Sequence, residues 1–228
     1  MRVVVTGANR GLGLGFVRAY LAAGERVLGL CRAPAAAEAL AELARGSDGA
    51  LELRAADVRD AESLRVAAVD IDRVDVLVNN AGIIGQAEEH LIELDIEVAA
   101  RVMDVNVFGA LRSTRAFLPA LERSNGGKIV NLSSLMGSTG DNQSGGYSGY
   151  RMSKAALNML TRNLGHALDP RRLVVAALHP GWVRTDMGGA RAPCEVEVAV
   201  AAMVKTIAAL EAEHSGGFFD RFGEILPV

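Results

Sequence analysis

Short β-branched runs alternate along the chain with longer stretches in which apolar residues recur every three or four positions. The runs at residues 3–6, 26–30, 51–55, 76–79, 128–132 and 173–178 read as strands, and the stretches at 13–23, 35–45 and 155–167 as helices. Val3-Val4-Val5 and Val76-Leu77-Val78 are apolar without alternation, the pattern of central strands covered on both faces. Strands alternating with helices predict right-handed crossovers and a parallel sheet. Two longer helices, over residues 98–121 and 147–168, are expected to flank the fifth strand, with Gly126-Gly127 and Asp169-Pro170 as stops. Gly216-Gly217 and Phe218-Phe219 make residues 216–228 a candidate last strand. No repeat or linker interrupts the pattern. The expectation is an α/β fold, a doubly wound parallel sheet with helices on both faces, in one domain over residues 1–228.

Composition narrows the function classes. Net charge is −3 and the 21 arginines are scattered, so no basic patch invites nucleic acid. No apolar run approaches the length of a membrane span. The chain enters a strand at once, which predicts no signal peptide. The two cysteines, Cys31 and Cys194, form no CxxC, consistent with free thiols in a reducing cytoplasm. His90, His166, His179 and His214 lack ligand spacing, so no metal is expected.

The chemistry begins at Thr6-Gly-Ala-Asn-Arg-Gly-Leu-Gly13, between the first strand and the first helix. Glycines suit a sharp turn that a pyrophosphate must approach closely, and the helix N-terminus offers free N–H groups to phosphate. The candidate contacts are Gly7, Asn9, Arg10, Gly11, Leu12 and Gly13. Reversal of sheet order beside the first strand is expected to leave a ligand crevice at the strand ends, where Asn79-Asn80-Ala81-Gly82 ends the fourth strand. Lys128-Ile-Val-Asn-Leu-Ser-Ser134 ends in two hydroxyls. Strand alternation turns Ser133 away from the side Ser134 faces, no GxSxG elbow marks a hydrolase, and Ser138 is a secondary candidate. In Tyr150-Arg-Met-Ser-Lys154 the tyrosine and lysine share a helix face. A nearby ammonium favours the phenolate and lowers the tyrosine pKa, which suits proton transfer. Only three lysines occur in the chain. Tyr147 competes with Tyr150, but its i+4 partner is Arg151.

The TGxxxGxG spacing, Asn79-Asn80-Ala81-Gly82, Ser134, Tyr150-Arg-Met-Ser-Lys154 and His179-Pro-Gly-Trp-Val-Arg-Thr185, in that order, resemble the short-chain dehydrogenase/reductase family with its Rossmann-type fold. The likeness runs from Thr6 to the Gly-Gly-Phe near the C-terminus. His-Pro-Gly-Trp-Val with Thr-Asp-Met-Gly-Gly, and the sixteen residues from Ser134 to Tyr150, are similar to a narrower group, the C-factor-like and sniffer-like carbonyl reductases. The thirteen residues from Ser134 to Tyr147 are the commoner family gap. The resemblance implies adenine contacts at Asp57 and Val58, and cofactor contacts at Asn80, Ala81 and Gly82. It implies that the chain bends under the nicotinamide at Pro180 and Gly181, that Val183 and Thr185 contact its carboxamide, and that the Asn106 backbone carbonyl holds a water beside Lys154.

It also implies hydride transfer to a carbonyl carbon. Ser134 then binds the carbonyl oxygen, Tyr150 protonates it, and Lys154 tunes the tyrosine and holds the nicotinamide ribose. Tyr147, Trp182 and Met187, with Ile84, are the expected substrate walls, open to aldehydes, ketones or quinones. The second strand ends Leu28-Gly-Leu-Cys-Arg32 without an acid for a ribose 2′-hydroxyl. Arg32, with Arg10, suits a 2′-phosphate, so NADPH/NADP+ is expected over NADH. The expected assembly is a homodimer or homotetramer. The rival reading, lent weight by the C-factor likeness, is a cofactor-binding signalling protein with little or no turnover.

Overall fold

A computed structural model of the chain describes residues 1–87 and 90–228. Seven strands form one parallel sheet in the order β3-β2-β1-β4-β5-β6-β7. They are β1 (Arg2–Thr6), β2 (Arg26–Cys31), β3 (Leu51–Ala55), β4 (Val76–Asn79), β5 (Gly127–Leu132), β6 (Leu173–His179) and β7 (Gly217–Asp220). The order reverses between β1 and β4, where Val4 pairs with Leu77 and also with Leu28. The tail does supply the last strand, with Phe219 opposite Leu178.

Successive residues of each strand feed opposite faces. Val3 and Val5 join Phe16, Val17 and Tyr20 of α1 (Gly11–Ala22) and Ala199, Val200 and Met203 of α7 (Val196–Ala209). Val4, Leu28, Leu77 and Ile129 pack instead with Leu64 of α3 (Ala61–Ala67) and Phe117 and Leu121 of α5 (Gly109–Glu122). Each fully buried Leu or Phe contributes about 1.5–3 kcal/mol. Central strands therefore read as unbroken apolar runs because both of their faces are core.

Several sequence expectations need correction. The helix predicted over 98–121 is three pieces: α4 (Ile96–Met103), a π-helical turn (Asp104–Phe108) and α5. Asn106 sits inside the π turn. The first helix starts at Gly11 rather than residue 13, because the glycine turn leads directly into it. Residues 35–45 divide into a single 3-10 turn at Pro34–Ala36 and α2 (Glu38–Arg45). Helix α3 escaped the periodicity because it is only seven residues long; Asp60 caps it by accepting from Glu62 N. The helix carrying Tyr150 is α6 (Ser148–Ala167).

Candidate active site

The C-terminal ends of β1, β4, β5 and β6 open into one crevice of about 1390 Å³. It gathers nearly every candidate residue: Gly7, Asn9, Arg10, Gly11, Leu12, Arg32, Asp57, Val58, Asn80, Ala81, Gly82, Ser134, Tyr147, Tyr150, Lys154, Pro180, Gly181, Trp182, Val183, Thr185 and Met187. Gly13 and Asn106 lie just behind its wall.

At one end stands the glycine turn. Gly7 and Gly11 are left-handed, with φ of +65° and +53°. A Cβ on Gly13 would lie 2.2 Å from the Gly7 carbonyl oxygen, so only glycine permits the turn to fold onto α1. Thr6 Oγ1 accepts from the backbone N–H groups of Asn80 and Ala81, and Asn80 Nδ2 donates to the Thr6 and Gly7 carbonyls. The two loops at the point of strand reversal are thus one unit. No side chain caps α1 and no acid stands in its first turn, which leaves its first N–H groups available to a phosphate.

Arg32 follows β2 in this end of the crevice. Arg59, which sequence reasoning missed, lines it too and binds Asp57 through Nε and Nη2. That hydrogen bond is the main reason the Asp57 carboxyl is held below its ordinary value. The place of Arg59 two residues beyond Asp57 was the available signal. Arg10 does not reach toward Arg32; it pairs with Asp186 at 2.6 Å across the crevice mouth.

At the other end are Ser134, Tyr150 and Lys154, all buried. A Cβ on Gly137 would meet the Lys154 backbone at 2.6 Å, so a glycine there lets the segment after Ser134 lie directly on α6. Burial pushes the Tyr150 phenol up to about 12, against the opposing pull of its hydrogen bond with Ser134. Burial brings the Lys154 ammonium down to about 8. Lys154 Nζ donates to the Leu132 carbonyl at 2.7 Å and lies 5.4 Å from the Tyr150 ring centroid. The expected lowering of the tyrosine by the lysine is therefore not seen: burial sets the direction of both shifts, up for the phenol and down for the ammonium. Ser133 points into the core and donates to Asn158 Oδ1. Ser138 is not a crevice residue; its Oγ accepts from Asp141 N.

Asn106 is held through its side chain. Its Oδ1 accepts from Ile83 N, and its Nδ2 donates to the Ile83 carbonyl and to Ser153 Oγ, which in turn donates to the Tyr150 carbonyl. A Cβ on Gly82 would lie 3.2 Å from Asn106 Oδ1 and 3.8 Å from Lys154 Nζ. Asn106 thus ties the loop after β4 to the first turns of α6. Ser153 was not foreseen; it lies beside Lys154 in the motif, and nothing in the local pattern marks it. His179 accepts from Leu135 N through Nδ1, and burial, aided by Arg221, lowers its imidazole to about 4. Trp182, Met187 and Tyr147 stand exposed around this end. Among the described residues no group of three or more His, Cys, Asp and Glu could hold a metal, and no helix is long and apolar enough to cross a membrane.

The model of the short chain dehydrogenase family matches residues 1–195. The chain belongs to this family. It is 44% identical over 154 residues to the C-signal of Myxococcus xanthus, covering 68% of this chain and 92% of that protein. It is 33% identical over 232 residues to 1-hydroxy-2-glutathionyl-2-methyl-3-butene dehydrogenase of a Rhodococcus strain, covering 98% of each. Among solved structures, the carbonyl reductase Sniffer of D. melanogaster superposes with a TM-score of 0.93 at 31% identity, covering 100% of this chain and 99% of that one. The NADPH-bound carbonyl reductase from chicken fatty liver gives 0.92 at 34% identity, covering 100% and 98%. This short chain dehydrogenase thus stands close to the carbonyl reductases.

Proposed function

We propose that the chain is an NADPH-dependent carbonyl reductase, a single cytoplasmic domain that reduces aldehydes, ketones or quinones. The observation that carries this reading is the meeting of Ser134, Tyr150 and Lys154 at one end of a crevice whose other end is a glycine turn opening a bare helix N-terminus. The resemblance to an NADPH-bound carbonyl reductase supports it.

The glycine turn suits the pyrophosphate, Asp57 and Val58 the adenine, and Arg32 a 2′-phosphate. Pro180, Gly181, Val183 and Thr185 line the crevice where a nicotinamide would lie. When bound, the cofactor supplies the hydride. The protein's part is positioning and proton supply. Ser134 donates a hydrogen bond to the substrate carbonyl oxygen. Tyr150, kept protonated by its burial, gives that oxygen its proton as negative charge develops. Lys154 holds positive charge behind the phenol and receives replacement protons on the Asn106 side. The free thiols Cys31 and Cys194 suit a reducing compartment.

The test is to mix purified protein with NADPH and a panel of carbonyl compounds while following nicotinamide absorbance. Carbonyl-dependent oxidation supports the reading. The likeness to the C-signal of M. xanthus favours a second one, cofactor binding for signalling with little turnover. Tight NADPH binding without oxidation across the panel would support that alternative.

A further inference from the structure

Tyr147 has an unusual backbone. Only three non-glycine residues among those described have positive φ: Asp48, Asp70 and Tyr147. The two aspartates are of the short polar kind that tolerates the left-handed region, whereas a bulky side chain there is strained. Tyr147 (φ +52°) also ends a run of three, after Gly145 (+64°) and Gly146 (+69°). The glycines take this conformation freely, but the strained Tyr147 keeps it only where its surroundings over-determine it.

Arg151 does so. Its Nε donates to the carbonyls of Gly145 and Gly146 at 3.1 and 2.9 Å, its Nη2 to Ser144 Oγ at 3.1 Å, and its backbone N to the Tyr147 carbonyl at 2.9 Å. Asn142 Oδ1 accepts from Gly145 N and steadies the approach to the turn. No described carboxylate forms an ion pair with Arg151. Its planar fork is committed instead to neutral oxygens of the left-handed turn. Lysine donates from one nitrogen only and cannot reproduce the separate reach of Nε and Nη2 to these acceptors.

We propose that Arg151 is the positioning residue for substrate selection: it locks the left-handed turn so that Tyr147 forms a fixed wall of the crevice and, with exposed Trp182, favours flat aryl carbonyl compounds over small aliphatic ones. The inference rests on the carbonyl reductase reading for its kinetic test. A rigid aromatic ring loses little freedom when a flat ligand stacks on it, whereas a tyrosine on a loose Gly-Gly loop must first be ordered.

The test is a double-mutant cycle. Arg151→Ala, Tyr147→Ala and the double variant are assayed with NADPH against 1-phenyl-1,2-propanedione and against butanal. The expected result is at least a roughly tenfold fall in the aryl-to-aliphatic ratio of kcat/KM for each single variant, carried by the aryl KM. The double variant should be no worse than either single one, and Arg151→Lys should recover part of the loss. Additive losses, a fall in kcat shared equally by both substrates, or an unchanged ratio would overturn the proposal. Trp182 is the chain's one tryptophan and lines the same crevice, so quenching of its fluorescence by the dione reads the wall without turnover. Weakened binding in Arg151→Ala and Tyr147→Ala alike supports the proposal even if no carbonyl is reduced. Unweakened binding sinks it, whatever becomes of the reductase reading.

Discussion

Replacing Lys154 by methionine should make the protein more stable while abolishing its proposed activity. The ammonium is buried, and burial draws its pKa from 10.5 to about 8. Because the value is lower in the folded than in the unfolded state, the unfolded chain binds the proton more tightly. The contribution of this lysine to stability is therefore most unfavourable below about pH 8 and that penalty is relieved as pH rises toward about 10.5. The span corresponds to about 3 kcal/mol near neutrality. Against this, the variant loses the hydrogen bond from Nζ to the Leu132 carbonyl, a charged bond of about 1.5 kcal/mol at the low end of its range. Methionine fills most of the same volume with an unbranched apolar chain. The net gain is on the order of 1 kcal/mol, or a few degrees in Tm for a chain of this size. Thermal melts of cofactor-free protein followed by circular dichroism, near pH 7 and again near pH 10.5, measure it. The advantage should appear at the lower pH and be lost or reversed at the higher, where the neutral amine still makes its bond to the Leu132 carbonyl and methionine does not. A variant less stable near pH 7, or a difference independent of pH, would refute the desolvation argument.

On the proposed mechanism, Tyr150→Phe lowers kcat at least about a hundredfold while Tyr147→Phe acts mainly on KM; steady-state kinetics of both variants checks this, and a larger kcat loss at Tyr147 would reassign the proton donor. The alkaline limb of kcat/KM for carbonyl reduction should fall near pH 8, where Lys154 loses its proton, rather than near 12, where Tyr150 does; a pH–rate profile without a break near 8 contradicts this assignment. NADPH is expected to be preferred by about ten- to a hundredfold, the worth of one charged hydrogen bond of roughly 1.5–3 kcal/mol from Arg32. Cys31→Asp combined with Arg32→Ala should swing kcat/KM toward NADH, and equal values for both cofactors in the unaltered enzyme would remove the role given to Arg32. A homodimer or homotetramer is expected because Ile96, Phe108, Met152 and Met159 stand exposed on the helical segments beside β5; light scattering giving a monomer mass at micromolar concentration would exclude it.

What could be read from the sequence was whatever chemistry imposes within a few residues. Gly7, Gly11 and Gly13 were legible because a turn onto a helix start forbids a Cβ there, and the structure shows the Gly13 contact that enforces it. Tyr150 and Lys154 were legible because i, i+4 spacing is a property of any helix. Most strand limits came within a residue because both-face burial leaves unbroken apolar runs. The π turn at Asp104–Phe108 was not legible: its extra residue per turn is fixed by what Asn106 grips, the Ile83 backbone and Ser153. Nor were the pairing of Arg10 with Asp186 and the clamp made by Arg151, whose acceptors are backbone carbonyls that look alike in every sequence.

The pKa order at the site shows the same limit more sharply. From sequence, a lysine four residues beyond a tyrosine reads as a cation that pulls the phenol down, since spacing reports proximity and proximity suggests attraction. Spacing does not report water. Once both groups are buried, desolvation disfavours charge on each: the phenol rises to about 12 and the ammonium falls to about 8, still charged near neutrality. The tyrosine in this state is an acid that keeps its proton, and the lysine is the group closer to losing one. Both properties suit the reductive direction, in which the phenol must arrive protonated at the substrate oxygen. An alkoxide developing beside Tyr150 would favour the charged form of Lys154, so the positive charge behind the phenol is easiest to hold when negative charge appears on the substrate oxygen.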